Sequence, residues 1–209
     1  RLVMSSPRKR IVPDVALSVE DRVATLTFKR DDVRNALTST DIASDIVKTI
    51  AWINTSSEVS VLIITGDGSA FSAGGSIKTM GERSKAAPHL LQQAYKHGIQ
   101  RIPLALQDAE VPLIAAVNGP AIGAGFDLAN MCDIRIGSTN AQFGETFVNL
   151  GIIPGDGGAW FLQRIVGYQR AAELTFSGRI VKADEAKALG ILLEITEPDA
   201  LMTRAPARV

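Results

Sequence analysis

Three acidic residues occur where a carboxyl group can perform acid/base chemistry. Glu145 and Asp156 lie in the stretch AQFGETFVNLGIIPGDGGAW with Phe147 between them, and Asp127 follows the glycine-rich segment NGPAIGAG. Carboxyls suit proton transfer when their surroundings separate their pKa values. Each acid also has a structural alternative, because Asp127 fits the first turn of a helix and Asp156 fits a helix N-cap. Glu145 fits a polar pocket rim, and Phe147 fits an apolar wall that raises the pKa of a neighbouring acid.

Two glycine-rich segments, GDGSAFSAGGSIKTM and NGPAIGAG, each follow an apolar run and lead into a helical pattern. The first lacks the Gly-Lys-Ser/Thr ending of a phosphate-binding loop, and GAG alone is not a dinucleotide-binding fingerprint. One interpretation is that the glycines only permit tight turns. The other is an oxyanion hole, in which two backbone N–H groups approach a ligand carbonyl without obstruction by a Cβ. The residues alone leave both interpretations open.

The elements that must position these residues alternate between strand and helix patterns. Apolar residues in alternation or in short β-branched runs predict a hairpin and three strands: Val15–Arg30 with its turn at Glu20-Asp21, Val59–Thr65, Val111–Val117 and Asp133–Gly137. Helical spacing predicts six helices: Ala36–Ile53 capped by Asn35 or Thr38, His89–Asp108, Phe126–Met131, Ala159–Val166, Ala171–Ser177 and Ala183–Leu189. This succession predicts an α/β core.

Composition excludes several classes of function. The 209 residues hold 22 lysines and arginines against 22 aspartates and glutamates, so no net charge favours nucleic acid or an anionic membrane as a partner. The one cysteine, Cys132, permits no internal disulfide and indicates a reducing compartment. No apolar run is long enough to span a membrane, and the basic first residues lack the apolar region of a secretory signal. We therefore expect a cytoplasmic protein.

Four segments together resemble one family. ITGDGSAFSAGGSIKTM, AAVNGPAIGAGFDLANMCDIRI, AQFGETFVNLGIIPGDGGAWFLQRIVG and ELTFSGRIVKADEAKALGI are similar, in this order, to the crotonase superfamily of enoyl-CoA hydratases and isomerases. The resemblance covers residues 15–197, implying an acyl-CoA-binding core built as a spiral of ββα units. Residues 198–209 correspond to the start of a C-terminal helical region that is apparently truncated and largely missing.

The resemblance also implies a ligand and a set of site residues. The implied ligand is an acyl-CoA thioester, with coenzyme A as part of the substrate, and no metal or redox cofactor is expected. The implied assembly is a homotrimer or a dimer of trimers. The backbone N–H groups of Gly75 and Ala124 correspond to the oxyanion hole. The residues that correspond to the coenzyme A site are Ser72, Ala73, Ser76, Ile77 and Lys78, although Lys78 also fits an ordinary surface lysine. Those assigned to the substrate pocket are Gly125, Glu145, Phe147 and Pro154.

The acids depart from the hydratase pattern. Hydratases of this superfamily use two glutamates, and here Asp127 stands at the first position and Phe147 at the second. Dienoyl-CoA isomerases resemble this chain in having aspartates near the positions of Asp127 and Asp156, which we therefore assign as catalytic. The resemblance favours isomerisation of an enoyl-CoA over simple hydration. The alternatives are hydrolysis or dehalogenation with Asp156 as nucleophile, and a coenzyme A-binding protein without activity. We expect His89 and His97 to be solvated or to face a partner.

Overall fold

The computed structural model describes residues 10–12, 14–83 and 85–208. The strands are β1 (Arg10–Val12), β2 (Val15–Glu20), β3 (Val23–Phe28), β4 (Val61–Gly66), β5 (Leu113–Val117), β6 (Pro120–Ile122), β7 (Ile134–Ser138), β8 (Gln142–Gly144), β9 (Val181–Lys182) and β10 (Glu194–Thr196). The helices are α1 (Ile42–Ile53), α2 (Ile77–Arg83), α3 (Pro88–Lys96), α4 (Arg101–Gln107), α5 (Ala124–Asn130), α6 (Gly158–Val166), α7 (Tyr168–Ser177), α8 (Ala183–Ala188) and α9 (Leu201–Arg204). Short 3₁₀ turns occur at Asp31–Val33, Thr146–Leu150, Pro198–Ala200 and Pro206–Arg208.

One sheet of the described residues has seven strands in the order β1-β2-β3-β4-β5-β7-β10. The first three strands are antiparallel, and every pair from β3 onward is parallel. Thr65 lies opposite Ala116, so β4 and β5 end at the same edge of the sheet. The two glycine-rich segments begin at that edge, because each one continues directly from its strand. The predicted α/β core is confirmed.

The hairpin of β2 and β3 is also confirmed, although its turn is one residue later than predicted. Glu20 pairs with Val23, which leaves Asp21 and Arg22 as the two turn residues. Both have positive φ, 48° for Asp21 and 69° for Arg22. Two consecutive positive φ angles are typical of a turn that matches the twist of antiparallel strands. Aspartate tolerates positive φ, but the sequence alone does not show which two consecutive residues form the turn.

Both faces of the parallel strands are buried, as the β-branched runs predict. Leu62 and Ile64 belong to the main core, which includes the apolar faces of α1, α4 and α5. Val61 and Ile63 point to the opposite face, where a smaller cluster includes Leu201 from α9. Alternate side chains of a strand point to opposite faces, so a run that is apolar at every position needs cover on both sides.

Two of the predicted helices differ from the structure by more than three residues. The segment predicted as Ala36–Ile53 becomes helical only at Ile42. Asn35 has a φ of 53°, and its buried amide donates to the carbonyls of Asp67 and Ala70. It therefore links the start of this segment to the loop after β4 and caps no helix. The predicted helix His89–Asp108 is two helices, α3 and α4, separated by residues 97–100.

A small second sheet joins the segments that lead to Asp127 and Glu145. It contains β6, β8 and β9, with β6 parallel to β8 and β8 antiparallel to β9. These strands of two or three residues are too short for a periodic pattern, and we predicted none of them. Gly123 donates a backbone hydrogen bond of 2.8 Å to Gly144 beyond the end of this pairing. No helix among the described residues is long and apolar enough to cross a membrane.

Candidate active site

A cavity of about 710 Å³ opens beside the edge where β4 and β5 end. Its walls come from the start of α1, the loop before α2, helices α3 and α4, and the beginning of α5. Four residues singled out by the sequence line it: Gly75, Ala124, Phe147 and Asp156. Most of the remaining lining is apolar, which suits an acyl chain held by a few polar groups.

The two glycine-rich segments approach each other closely at this cavity. A Cβ on Gly125 would overlap the carbonyl of Ser72, and a Cβ on Gly74 would overlap the carbonyl of Ile122. Glycine is therefore required on both sides of the contact. The approach brings Gly75 and Ala124 to the lining of one cavity. No oxygen of the described residues accepts a hydrogen bond from either N–H group, which leaves both available to a ligand.

The three acids form one cluster. Asp127 comes from the first turn of α5, Glu145 immediately precedes the 3₁₀ turn Thr146–Leu150, and Asp156 comes from the loop before α6. Their relative exposures are 0%, 1% and 4%, so all three are withdrawn from bulk water. The carboxyl of Asp127 lies within hydrogen-bond reach of the carboxyls of both Glu145 and Asp156. Only Asp156 lines the cavity, and the other two acids lie behind it.

Burial dominates the electrostatics of this cluster. Burial raises the pKa of Asp127 well above its usual range, and the charges of Asp156 and Glu145 raise it further. Burial also raises the pKa of Glu145 to about 7, against the lowering effect of its hydrogen bond with Asp127. The pKa of Asp156 is raised as well, first by burial, and its hydrogen bond with Asp127 opposes the rise. Of the three carboxyls, Asp127 is the one whose pKa is raised both by complete burial and by two neighbouring acids, so its protonated form is the most strongly favoured.

Phe147 forms an apolar wall of the cavity next to this cluster. The side chain is 7% exposed and belongs to the main core. Its ring lies over Gly123, where an added Cβ would be 3.6 Å from Cζ of Phe147. The ring therefore fills the space beside Gly123, at the start of α5, with apolar surface.

The residues predicted to bind coenzyme A occupy a range of environments. Ser72 is fully buried, donates from Oγ to the carbonyl of Asn35 at 2.7 Å, and accepts the N–H of Gly74. Ser72 therefore supports the loop from within and has no side-chain atom exposed to a ligand. Ile77 and Lys78 are exposed at the start of α2. Ala73 and Ser76 are half-buried beside the cavity without lining it, and their N–H groups bond to Arg34 and Thr38.

Three members of the predicted substrate pocket, Gly125, Glu145 and Pro154, do not line the cavity. Gly125 and Glu145 are buried behind the lining, and Pro154 is half-buried in the loop before α6. Glu145 nevertheless belongs to the site through its contact with Asp127.

Other residues line the cavity that sequence patterns did not indicate, among them Thr38, Tyr95, His97 and Arg101. His97 is exposed, as expected, but it is also part of this wall, where its Nε2 lies 2.9 Å from Gln93 Oε1. These side chains belong to α3, α4 and the approach to α1, which carry no local motif. Within the described residues, no group of three or more His, Cys, Asp or Glu side chains has an arrangement that could hold a metal ion.

Comparison with known proteins agrees with this fold. The family model described as "Enoyl-CoA hydratase/isomerase" matches residues 18–209. The short-chain-enoyl-CoA hydratase of Clostridium acetobutylicum is 40% identical over 195 residues, which cover 92% of this chain and 72% of that protein. The crotonyl-CoA hydratase of Syntrophomonas wolfei is 36% identical over 90% of this chain and 71% of that protein.

Solved structures confirm the predicted crotonase fold. The enoyl-CoA hydratase of Bacillus anthracis superposes with a TM-score of 0.86 at 31% identity, covering 93% of this chain and 74% of that one. A match over most of the chain by sequence and by structure establishes family membership. The chain therefore belongs to the enoyl-CoA hydratase/isomerase family of the crotonase superfamily, and it is an acyl-CoA-processing enzyme of that family.

Proposed function

We propose that this enzyme moves a proton on an enoyl-CoA thioester through an oxyanion-stabilised enolate, and that it isomerises the double bond in preference to hydrating it. One observation carries the proposal. Asp156 is the one member of the acid cluster that lines the cavity, and Gly75 and Ala124 line the same cavity. A base and two unengaged N–H donors facing one apolar space are the parts that such a reaction needs.

The chemistry follows from these positions. The thioester oxygen accepts hydrogen bonds from the N–H groups of Gly75 and Ala124, which stabilise the negative charge as it develops. Ionised Asp156 removes a proton from the α- or γ-carbon, and the electron pair moves into the enolate. The protonated Asp156 then returns the proton to the other of these two carbons. The double bond shifts by one position, and no atom is gained or lost.

Phe147 is the reason that we place isomerisation before hydration. Hydration needs a group that holds and activates a water molecule beside the double bond. By the family resemblance, Phe147 stands at the position where hydratases of this superfamily have their second glutamate. A phenyl ring cannot accept a proton from water. The proton on Asp156 is therefore returned to a carbon of the substrate. Because several relatives are named as hydratases, hydration is the outcome against which this proposal must be tested.

The wider parts of the proposal come from the family resemblance. The coenzyme A portion lies along the loop from Ala73 to Lys78, where the exposed ammonium of Lys78 can meet a phosphate. The enzyme acts in the cytoplasm as a homotrimer or a dimer of trimers, and needs no cofactor beyond the coenzyme A of its substrate.

Steady-state turnover of crotonyl-CoA, a 3-enoyl-CoA and a 3,5-dienoyl-CoA tests the proposal. We expect the highest kcat/KM with one of the last two, and a fall in kcat of about 10²- to 10⁴-fold in Asp156→Asn. Fastest turnover of crotonyl-CoA would establish a hydratase, and full activity of Asp156→Asn would remove the assigned base. Entry of oxygen from labelled water into Asp156 in a single turnover would instead indicate hydrolysis through a covalent intermediate.

A further inference from the structure

We propose that Glu145 is a positioning residue that controls the basicity of Asp156 by competing with it for the single hydrogen carried by Asp127. The inference rests on the proposed role of Asp156 in proton transfer. Glu145 itself does not reach the substrate, because it lies behind the cavity lining.

The contacts of the cluster leave Asp127 as the link between the other two acids. Its carboxyl is completely buried and lies within hydrogen-bond reach of both Glu145 and Asp156. Neither oxygen of Asp127 and neither oxygen of Glu145 is bonded to an N–H or O–H donor of the described residues. A buried carboxyl oxygen without a donor is costly, so a hydrogen shared between the carboxyls is strongly favoured.

The surrounding charges do not replace this shared hydrogen. None of the ion pairs among the described residues includes a member of the cluster. Arg135, which follows α5, donates to the carbonyls of Cys132 and Ile191. Arg164 of α6 stacks over the ring of Trp160 at the surface. On the cavity side, His97 and Arg101 face the space that Asp156 lines, but both are exposed and screened by solvent.

Two arrangements of the hydrogen give Asp156 two strengths as a base. When Asp127 donates to Asp156, the bond stabilises the Asp156 anion and makes it a weak base. When Asp127 donates to Glu145, Asp156 is a buried anion that lacks this hydrogen bond, and it takes a proton from carbon more readily. Ionisation of Glu145 favours the second arrangement, because a carboxylate accepts the hydrogen more strongly than a protonated carboxyl does. Burial brings the pKa of Glu145 to about 7, so this change falls near neutral pH.

The pH dependence of turnover tests the inference. We expect the wild-type kcat to rise through an ionisation near pH 7, and Glu145→Gln to lose this step with a kcat about tenfold lower above about pH 7. The KM should change by less than about twofold, because the lining that contacts substrate is intact. Glu145→Asp restores an ionisable group and should restore the step at a shifted pH. Asp45→Asn removes another buried carboxylate, on α1 and ion-paired with Lys48, and should keep the wild-type profile.

Two results would overturn the inference. One is an unchanged pH step in Glu145→Gln, and the other is a parallel change in kcat, KM and thermal stability at every pH, which a purely structural residue would give. Infrared difference spectra of the wild-type protein across neutral pH provide a second measurement that needs neither a variant nor a substrate. We expect a protonated carboxyl band to persist at pH 7 and to change as Glu145 ionises, and a flat spectrum contradicts the shared hydrogen. Absence of turnover with every enoyl-CoA would instead contradict only the proposed function.

Discussion

The carboxyl of Asp127 on α5 lies against the α-carbon of Gly158, the first residue of α6, with no room for a β-carbon between them. Gly158 is therefore part of the machinery that holds the acid cluster, although it has no side chain. An alanine there would place its Cβ in overlap with both carboxyl oxygens of Asp127 and push them away from Glu145 and Asp156.

For Gly158→Ala we expect kcat to fall by about tenfold to a hundredfold, since small displacements of catalytic groups have effects of this size. Stopped assays at saturating substrate measure kcat of this variant and of the wild type. Gly81→Ala on α2 is the matched control, because an added Cβ there meets no atom within 4 Å. It should keep full activity and gain up to about 1 kcal/mol of stability from helix propensity. Equal activity of the two variants would show that Asp127 does not need its present position.

Ala124→Pro tests the backbone N–H of Ala124, because proline removes this donor while the helix is expected to remain. Ala124 is the first residue of α5, a position where proline is well tolerated because its N–H is not needed by the helix. We expect kcat to fall about 10²- to 10³-fold if this N–H donates to the enolate oxygen. Circular dichroism should remain that of the wild type. Ala124→Gly keeps the N–H and should keep most of the activity, and a similar loss in both variants would argue against the donor role.

Phe147→Glu tests why the ring matters. A carboxylate at this position can hold and activate water, so hydration of crotonyl-CoA should increase at least about tenfold while isomerisation decreases. Coupled absorbance assays measure both reactions on the same preparation. Phe147→Leu keeps an apolar wall and should retain the ratio of the two activities. If Phe147→Glu folds and binds substrate but the ratio stays fixed, Phe147 does not determine the reaction.

The free energy of unfolding should decrease between about pH 4.5 and pH 7. The pKa of Glu145 is about 7 in the folded protein against an ordinary value of 4.5, so the folded state binds this proton more tightly than the unfolded state does. Stability from this proton is complete below the lower value and is lost as pH rises through the higher one, by up to about 3 kcal/mol. The raised pKa values of Asp127 and Asp156 act in the same direction.

Urea titrations at a series of pH values measure this slope. Glu145→Gln should flatten it, because the amide has no proton to lose in this range. A slope that is the same in Glu145→Gln and the wild type would show that Glu145 is not responsible.

The sequence predicts those parts of the fold whose signal is local. Val59–Thr65 is apolar at nearly every position, and a strand covered on both faces is the arrangement that such a run allows. The late start of α1 is not local, since it depends on the bonds of Asn35 to Asp67 and Ala70, more than 30 residues away.

The same limit applies to the site. Asp127 follows the segment NGPAIGAG and Asp156 lies within PGDGG, so local motifs single out both as candidates. Glu145 joins them only because a 3₁₀ turn begins immediately after it, at Thr146, and an extended or helical segment would aim it elsewhere. His97 and Arg101 reach the cavity because α4 packs against α1 and Gln100 bonds to the carbonyl of Gly155, contacts that no spacing in the sequence encodes.

The attachment of α3 also bears on the timing of turnover. None of its residues is buried, and this side of the cavity is fastened to the loop of Asp156 by the ring of Tyr95 against Gly155 and by a 2.8 Å bond from Gln100 to the Gly155 carbonyl. Few contacts have to break for such a wall to swing outward, whereas the sheet opens only when the whole protein unfolds. Release of the product can therefore be slower than the chemistry and depend on the opening of this wall, in which case kcat should fall as solvent viscosity rises.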